Sequence, residues 1–214
     1  ELHNIGLAAE RLRGTVIGAK ELFSLNNTLG PYTAKRGFKK GFAYHGDQVR
    51  TVVGGGICKI ATAVFNCAVQ ADLLIVERHT HVMPVDYISP GRDATIWYGS
   101  LDLKIVNDKT DPVLLWADRL GKTIYVAFYG GVRPPRVMWH HEIIKRHPFP
   151  EVIRLSSHLL PGEKKIVMAG AEGLTVRSWA AVQDPGGTPR IKESRIIYYA
   201  PRPQIIEQGE QKKG

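Results

Sequence analysis

Long hydrophobic runs are missing from this chain. No stretch approaches the roughly 20 apolar residues of a membrane-spanning helix, so no transmembrane segment is expected within it. Cysteine is scarce, with only Cys58 and Cys67 present. Nine positions along one helix, at about 1.5 Å each, separate them by roughly 13 Å, and a disulfide needs Cα atoms within about 7 Å. The two thiols are expected to stay unbridged, which removes a disulfide scaffold from consideration. Cys-x-x-Cys and His-Glu-x-x-His, the compact zinc signatures, are absent too. Gly54-Gly55-Gly56 lacks the spacing to Lys-Ser or Lys-Thr of a Walker loop, so nucleotide chemistry is not expected. Acidic residues are also short, 20 against 29 Lys and Arg, for a net charge of +9. That surplus favours anionic partners and is silent on fold. Its densest runs, Lys35-Arg36, Lys39-Lys40 and Lys164-Lys165, have no interleaved aromatic residues on a recognisable motif. Nucleic acid is therefore not expected as a partner, whereas anionic cell-wall polymers suit the charge. No signal peptide is visible after Glu1, as in a mature secreted form or a trimmed chain, so the N-terminus leaves location open.

What the chain does contain is enough to bury a core. Apolar residues make up 43% of 214 positions and charged residues 23%, the balance of a soluble globular protein with one large or two small domains. Apolar spacing predicts a short helix over Ile5–Leu12, and aromatic and β-branched residues predict strands from Gly37 to Val53 around a turn at His45-Gly46-Asp47. The glycine run then leads into Ile57–Leu73, a helix apolar on nearly every face and so expected at the centre of its domain. Strands are predicted at Leu73–Val76, Val85–Ile88, Ala94–Tyr98 and Leu101–Val106, with a hairpin formed by Val113–Ala117 and Thr123–Phe128. Gly130-Gly131 through Pro134-Pro135 marks a boundary. Beyond it come strand signals at Val152–Leu155, Lys165–Ala169, Leu174–Val182 and Ile191–Tyr199, punctuated by glycine. The expected fold is α+β: a central apolar helix packed on a mostly antiparallel sheet over residues 1–131, a small all-β module over 137–209, and a flexible tail over 210–214.

Several ordered blocks carry a family resemblance. They are Asn4-Ile5, Phe23-Ser24-Leu25-Asn26, Gly30-Pro31 with Gly37, Gly54-Gly55-Gly56-Ile57-Cys58-Lys59 with Asn66, Glu77-Arg78-His79-Thr80-His81 with Tyr87, and Gly91-Arg92-Asp93-Ala94-Thr95. Together they span roughly residues 3–130 and resemble the VanW-like family. Where that family usually has glutamine after the cysteine and serine two residues further on, this chain has Lys59 and Ala61. The remainder resembles a G-five domain, through Pro161-Gly162, Gly170, Gly173 and Ile205-Ile206-Glu207-Gln208-Gly209. The resemblance implies a bacterial protein of the cell envelope, secreted or anchored through a segment outside this chain. VanW-like proteins occur in some cases with glycopeptide-resistance genes, and their activity is not settled. Peptidoglycan is the implied partner of the first domain, and N-acetylglucosamine-containing glycan that of the module.

Read as chemistry, the same blocks suggest a thiol site. Cys58 stands in the first turn of a helix, where unpaired N–H groups and the positive dipole end favour its thiolate. Lys59 would act the same way. Papain-like and transglutaminase-like folds place a nucleophile at a helix start and bring a histidine and then an acidic residue from later strands; Cys58, His81 or His79, and Asp93 follow that order. Cys58 would attack a carbonyl carbon, the histidine would carry the proton, and Asp93 would orient the imidazole. Gly54, Gly55, Gly56, Lys59, Tyr87 and Arg92 are the candidate substrate-binding residues. Each has a plainer reading beside it. Cys58 can be a small buried core residue, as Cys67 is expected to be. His79 and His81 share strand parity and would face one side, as exposed histidines often do. Asp93 can close a turn or pair with Arg92, and Tyr87 can simply pack. Cys58, His79, His81 and Asp93 also have the ligand types of a zinc site, but neither metal nor cofactor is the expectation. An enzyme acting on cell-wall amides and a non-catalytic wall-binding protein both remain open.

Overall fold

A computed structural model describes residues 1–45, 48–184 and 186–210. Gly46 and Asp47 of the predicted turn, and residues 211–214 of the predicted tail, lie outside the described residues.

The chain is mostly β structure with few helices. Helix α1 (Leu2–Leu12) buries Asn4, Ile5, Ala8, Ala9 and Leu12, spaced to line one face. Helix α3 (Ile57–Gln70) follows the short α2 (Leu25–Leu29) and leaves Ile60, Ala61, Val64, Phe65 and Ala68 with no exposed surface. Around these helices lie three small antiparallel assemblies rather than one sheet. Strands β1 (Thr15–Ile17), β7 (Val113–Leu120) and β8 (Thr123–Tyr129) form the first. In β7 the alternation is sharp, with Val113, Leu115 and Ala117 buried and Trp116 turned outward. Strands β2 (Leu22–Ser24), β6 (Lys104–Val106) and β5 (Leu74–Glu77) form the second, and β3 (Lys40–His45) with β4 (Gln48–Val53) the third. Helix α3 touches β8, β5 and a strand beyond residue 131, so its apolar girdle is shared between different sheets.

Residues 78–103 depart from the sequence reading. The strands predicted at Val85–Ile88 and Ala94–Tyr98 are absent, and only isolated bridges (His79 to Thr95, Trp97 to Leu101) remain. Buried side chains take over the backbone groups that a ladder would have used. Thr62 Oγ1 of α3 accepts from the Ala94 N–H at 2.9 Å and donates to its carbonyl at 3.1 Å. Asn66 Nδ2 donates to the Arg92 carbonyl at 2.7 Å, and Asn26 Nδ2 to that of Leu101 at 2.8 Å. The loop is thus laid along α3 by polar contacts, and it carries the candidate site.

Past residue 131 the chain forms two further three-stranded sheets. One holds β9 (Arg136–His147), β12 (Gly173–Gln183) and β13 (Arg190–Tyr199), all antiparallel. The other holds β10 (Glu151–Ser156), β14 (Gln204–Gly209) and β11 (Lys164–Met168), with β10 and β14 parallel. Strands β9 and β14 were not among the sequence expectations. These sheets pack directly on the preceding residues. Ala180 belongs to the main core, Trp139 lies 5.8 Å from Phe65 between ring centroids, and Lys192 Nζ reaches both Asp72 and the Leu73 carbonyl.

Candidate active site

The glycine run sets the geometry at the head of α3. Gly56 caps the helix at φ 98°, a left-handed conformation that side chains rarely adopt. Gly55 has its backbone against Gly41, where an added Cβ would lie 2.2 Å from the Gly41 carbonyl. Close packing of these two backbones leaves Cys58, in the first helical turn, partly buried at the floor of a cleft of about 300 Å³. Gly54, Gly55 and Gly56 line that cleft, together with Lys59, His81 and Tyr87. Aromatic residues Phe42, Trp97 and Tyr98 complete an apolar wall and stay 63%, 44% and 47% exposed.

Around the thiol the structure brings together Cys58, His81 and Asp93. Cys58 Sγ sits 3.3 Å from Thr95 Oγ1 and 3.8 Å from the Ile96 carbonyl, and it hydrogen-bonds to His81. The His81 ring is buried, and its Nδ1 lies 2.7 Å from Asp93 Oδ2. The same carboxylate oxygen accepts the His81 backbone N–H at 2.7 Å, which fixes main chain and ring together. Tyr87 meets the ring edge-on, with its hydroxyl 3.4 Å from Nε2. Asp93 is itself sealed, 1% exposed. Its other oxygen accepts the Tyr199 hydroxyl at 2.5 Å and lies 3.7 Å from the Arg78 guanidinium. Arg78 donates to the carbonyls of Gly91 and Asp93 and rests 4.4 Å over the Phe65 ring, so the loop turn is tied to a buried cation.

Electrostatics follow this arrangement. Burial pushes the Cys58 thiol up, but the hydrogen bond and charge of His81, with Thr95 and the Ile96 backbone, bring it below its ordinary value. Burial pushes the His81 imidazole down, yet the hydrogen bond to Asp93 and the Cys58 thiolate carry it up to about 9. For Asp93, burial raises the carboxyl, and the His81 ring and N–H and the Tyr199 hydroxyl more than offset it. All three directions favour a thiolate–imidazolium pair backed by a carboxylate.

Other expected residues lie elsewhere. Strand β5 ends at Glu77, so His79 and His81 do not share a strand face; His79 Nε2 pairs with Glu77 at 2.9 Å, outside the cleft. Arg92 stacks 5.4 Å over Trp139 and bonds Asn66, also outside the cleft. Lys59 is at the cleft, but its ammonium pairs with Glu1 at 2.7 Å. Asp93 pairs with Arg78 and His81, not with Arg92. Cys67 donates to the Val126 carbonyl at 3.4 Å, and burial raises its thiol. Among the described residues, no group of three or more His, Cys, Asp or Glu side chains is arranged to hold a metal ion. Thr95, Arg78 and Tyr199 were not among the expected site residues. The first two stand inside the quoted motifs, but Tyr199 lies 106 positions from Asp93 and had no sequence signal.

A thiol bonded to a buried imidazole that is oriented by a carboxylate has the composition of a cysteine nucleophile site. The family described as VanW like protein matches residues 1–129, and the chain belongs to that family. It is 35% identical over 127 residues to the uncharacterized protein YoaR of Bacillus subtilis (strain 168), covering 59% of this chain and 42% of that protein. Over 122 residues it is 30% identical to the vancomycin B-type resistance protein VanW of Enterococcus faecalis (strain ATCC 700802 / V583), covering 54% of this chain and 44% of that one. The chain therefore spans less than half the length of these relatives. Among solved structures, the IgA1 protease G5 domain matches 37% of this chain and 96% of its own length at 22% identity and a TM-score of 0.24. The HP0197-G5 crystal structure matches 35% and 99% at 17% identity and a TM-score of 0.21. No helix among the described residues is long and apolar enough to cross a membrane.

Proposed function

We propose that this chain is part of a cell-envelope protein with a cysteine-dependent site that cleaves or exchanges amide bonds in or near peptidoglycan. The observation that carries the reading is the Cys58–His81–Asp93 chain of hydrogen bonds, with His81 and Asp93 buried and Cys58 opening onto an aromatic-walled cleft. The Cys58 thiolate attacks the amide carbonyl carbon, and backbone N–H groups near Gly56 and Cys58 stabilise the developing oxyanion. His81 then gives its proton to the departing amine as the C–N bond breaks, which leaves a thioester on Cys58. Water or a second amine, deprotonated by His81, resolves the thioester and restores the thiolate. Asp93 holds the ring in the tautomer these transfers need. A thiol in the first turn of the core helix, followed in the chain by histidine and then aspartate, has the order of papain-like and transglutaminase-like folds. An α+β core of that kind, over residues 1–131, is part of the proposal.

Residues 137–209 would form a G-five-type module that binds wall glycan. The surplus of positive charge suits anionic wall polymers. A non-catalytic binding role is the second reading, favoured by the exposed Trp97, Tyr98 and Phe42 side chains at the cleft.

Incubating the protein with whole sacculi and measuring both pelleting and released fragments separates the two. For an enzyme, Cys58→Ser abolishes fragment release and leaves pelleting intact. Equal pelleting with no release by the unsubstituted protein, from any sacculus preparation, refutes the catalytic reading.

A further inference from the structure

The geometry points to Tyr199 as a positioning residue of this site: from β13, far outside the segment that defines the family, its hydroxyl fixes Asp93 and, through Asp93, the His81 ring. This rests on the Cys58–His81–Asp93 reading above. Asp93 Oδ2 is occupied by the N–H and Nδ1 of His81. The carboxylate is held in place through Oδ1, and there Tyr199 donates at 2.5 Å while Arg78 stands 3.7 Å away. The Tyr199 hydroxyl also accepts the Gly91 N–H at 2.7 Å, so one atom pins both the carboxylate and the glycine turn before it. Tyr199 is 1% exposed, and burial with the Asp93 charge raises its phenol, so it stays a donor at every working pH.

The contacts around it point the same way. Ser178 Oγ of β12 donates to the Gly91 carbonyl at 3.3 Å, Arg195 to the Arg78 carbonyl at 3.4 Å, and the Ala200 N–H to the Val82 carbonyl at 2.7 Å. The loop that carries His81 and Asp93 is therefore gripped beside both of these residues by groups beyond position 129. Without the Tyr199 donor, Asp93 keeps a buried charged oxygen whose nearest compensation is Arg78. Turning toward Arg78 draws the carboxylate away from the imidazole.

Cys58 reactivity tests this without knowledge of the substrate. The rate of iodoacetamide labelling at Cys58, located by mass spectrometry, is followed between about pH 5 and 9 for the unsubstituted chain, Tyr199→Phe, and Tyr198→Phe as an exposed neighbour control. We expect Tyr199→Phe to raise the labelling midpoint by roughly half to one unit, slowing labelling near pH 6 by about three- to ten-fold, with no change at high pH. Tyr198→Phe should leave the profile alone. Coinciding profiles for Tyr199→Phe and the unsubstituted chain, or an equal slowing at all pH, overturn the inference, because a packing role moves no midpoint. Should Tyr199→Phe not fold, 4-aminophenylalanine at position 199 keeps the shape and donates more weakly to Asp93. It should raise the same midpoint, and an unmoved midpoint overturns the inference. An ordinary thiol midpoint in the unsubstituted chain sinks the whole Cys58–His81–Asp93 reading. A low midpoint that Tyr199→Phe does not shift sinks only the role of Tyr199.

Discussion

Asp93→Asn removes one charge and almost no volume, and the structure gives it two separable consequences. The first is stability. Asp93 and Arg78 are both 1% exposed at the side chain, and breaking a buried ion pair from one end costs about 3–5 kcal/mol. Arg78 keeps the Gly91 and Asp93 carbonyls as acceptors, so the lower end, about 3 kcal/mol, applies. At about 2–4 °C per kcal/mol for a chain of this size, the melting point falls by about 6–12 °C. The second consequence is at His81. Its imidazole stands up at about 9 because Asp93 and the Cys58 thiolate outweigh burial, which acts in the opposite sense. With an amide at position 93, burial is no longer offset by a carboxylate, and the midpoint should fall by roughly two units, a hundredfold in proton affinity. The sign is fixed by linkage. A raised imidazole contributes stability that is fully present below its ordinary value of 6.5 and is lost as pH rises through about 9, so Asp93→Asn should also flatten stability across that alkaline window. Carbon-labelled histidine with NMR titration reads the midpoint, and His81→Asn assigns the resonance among the eight histidines. A His81 midpoint within half a unit of the original in a folded Asp93→Asn protein would refute the reasoning.

Two further perturbations probe how the site is held. Asp72 receives Lys109, Arg190 and Lys192, and although burial raises its carboxyl, these partners bring it to about 2. Its contribution, about 1–2 kcal/mol after allowance for solvent screening, is present above its ordinary value near 3.8 and lost as pH falls toward 2. Urea melts for the original chain and Asp72→Asn should therefore draw together as pH falls below about 4 and converge only near pH 2. Gly55→Ala places a Cβ 2.2 Å from the Gly41 carbonyl, so the hairpin and helix head must separate. We expect a loss of about 3 kcal/mol or more by denaturant melt, with slower Cys58 labelling; a cost under about 1 kcal/mol would contradict the close packing.

The helix start, and the thiol on it, could be read from the sequence because glycine and apolar spacing are local signals. Cys58 and the order of the histidine and aspartate behind it were likewise visible. Which histidine turns inward was not. His79 and His81 alternate alike on paper, and the choice between them comes from where β5 stops and from the Asp93 carboxylate that captures both the N–H and the ring of His81. The loop over 78–103 reads as strands because its residues are β-branched and aromatic, but Thr62 and Asn66 compete for its backbone from outside the segment, and Arg78 from its first position. Tyr199 was beyond reach for the same reason: its partner is 106 residues away, and nothing local marks an aromatic near the end of a strand as belonging to so distant a site.

Labelling of the native chain by iodoacetamide across pH, read separately at Cys58 and Cys67, bears most directly on the thiolate. Cys58 should react well below the pH of an ordinary thiol while Cys67, bonded to a carbonyl and raised by burial, lags behind it. A Cys58 profile that rises only near the ordinary value of 9, or no labelling of Cys58 in the folded protein, would contradict the account.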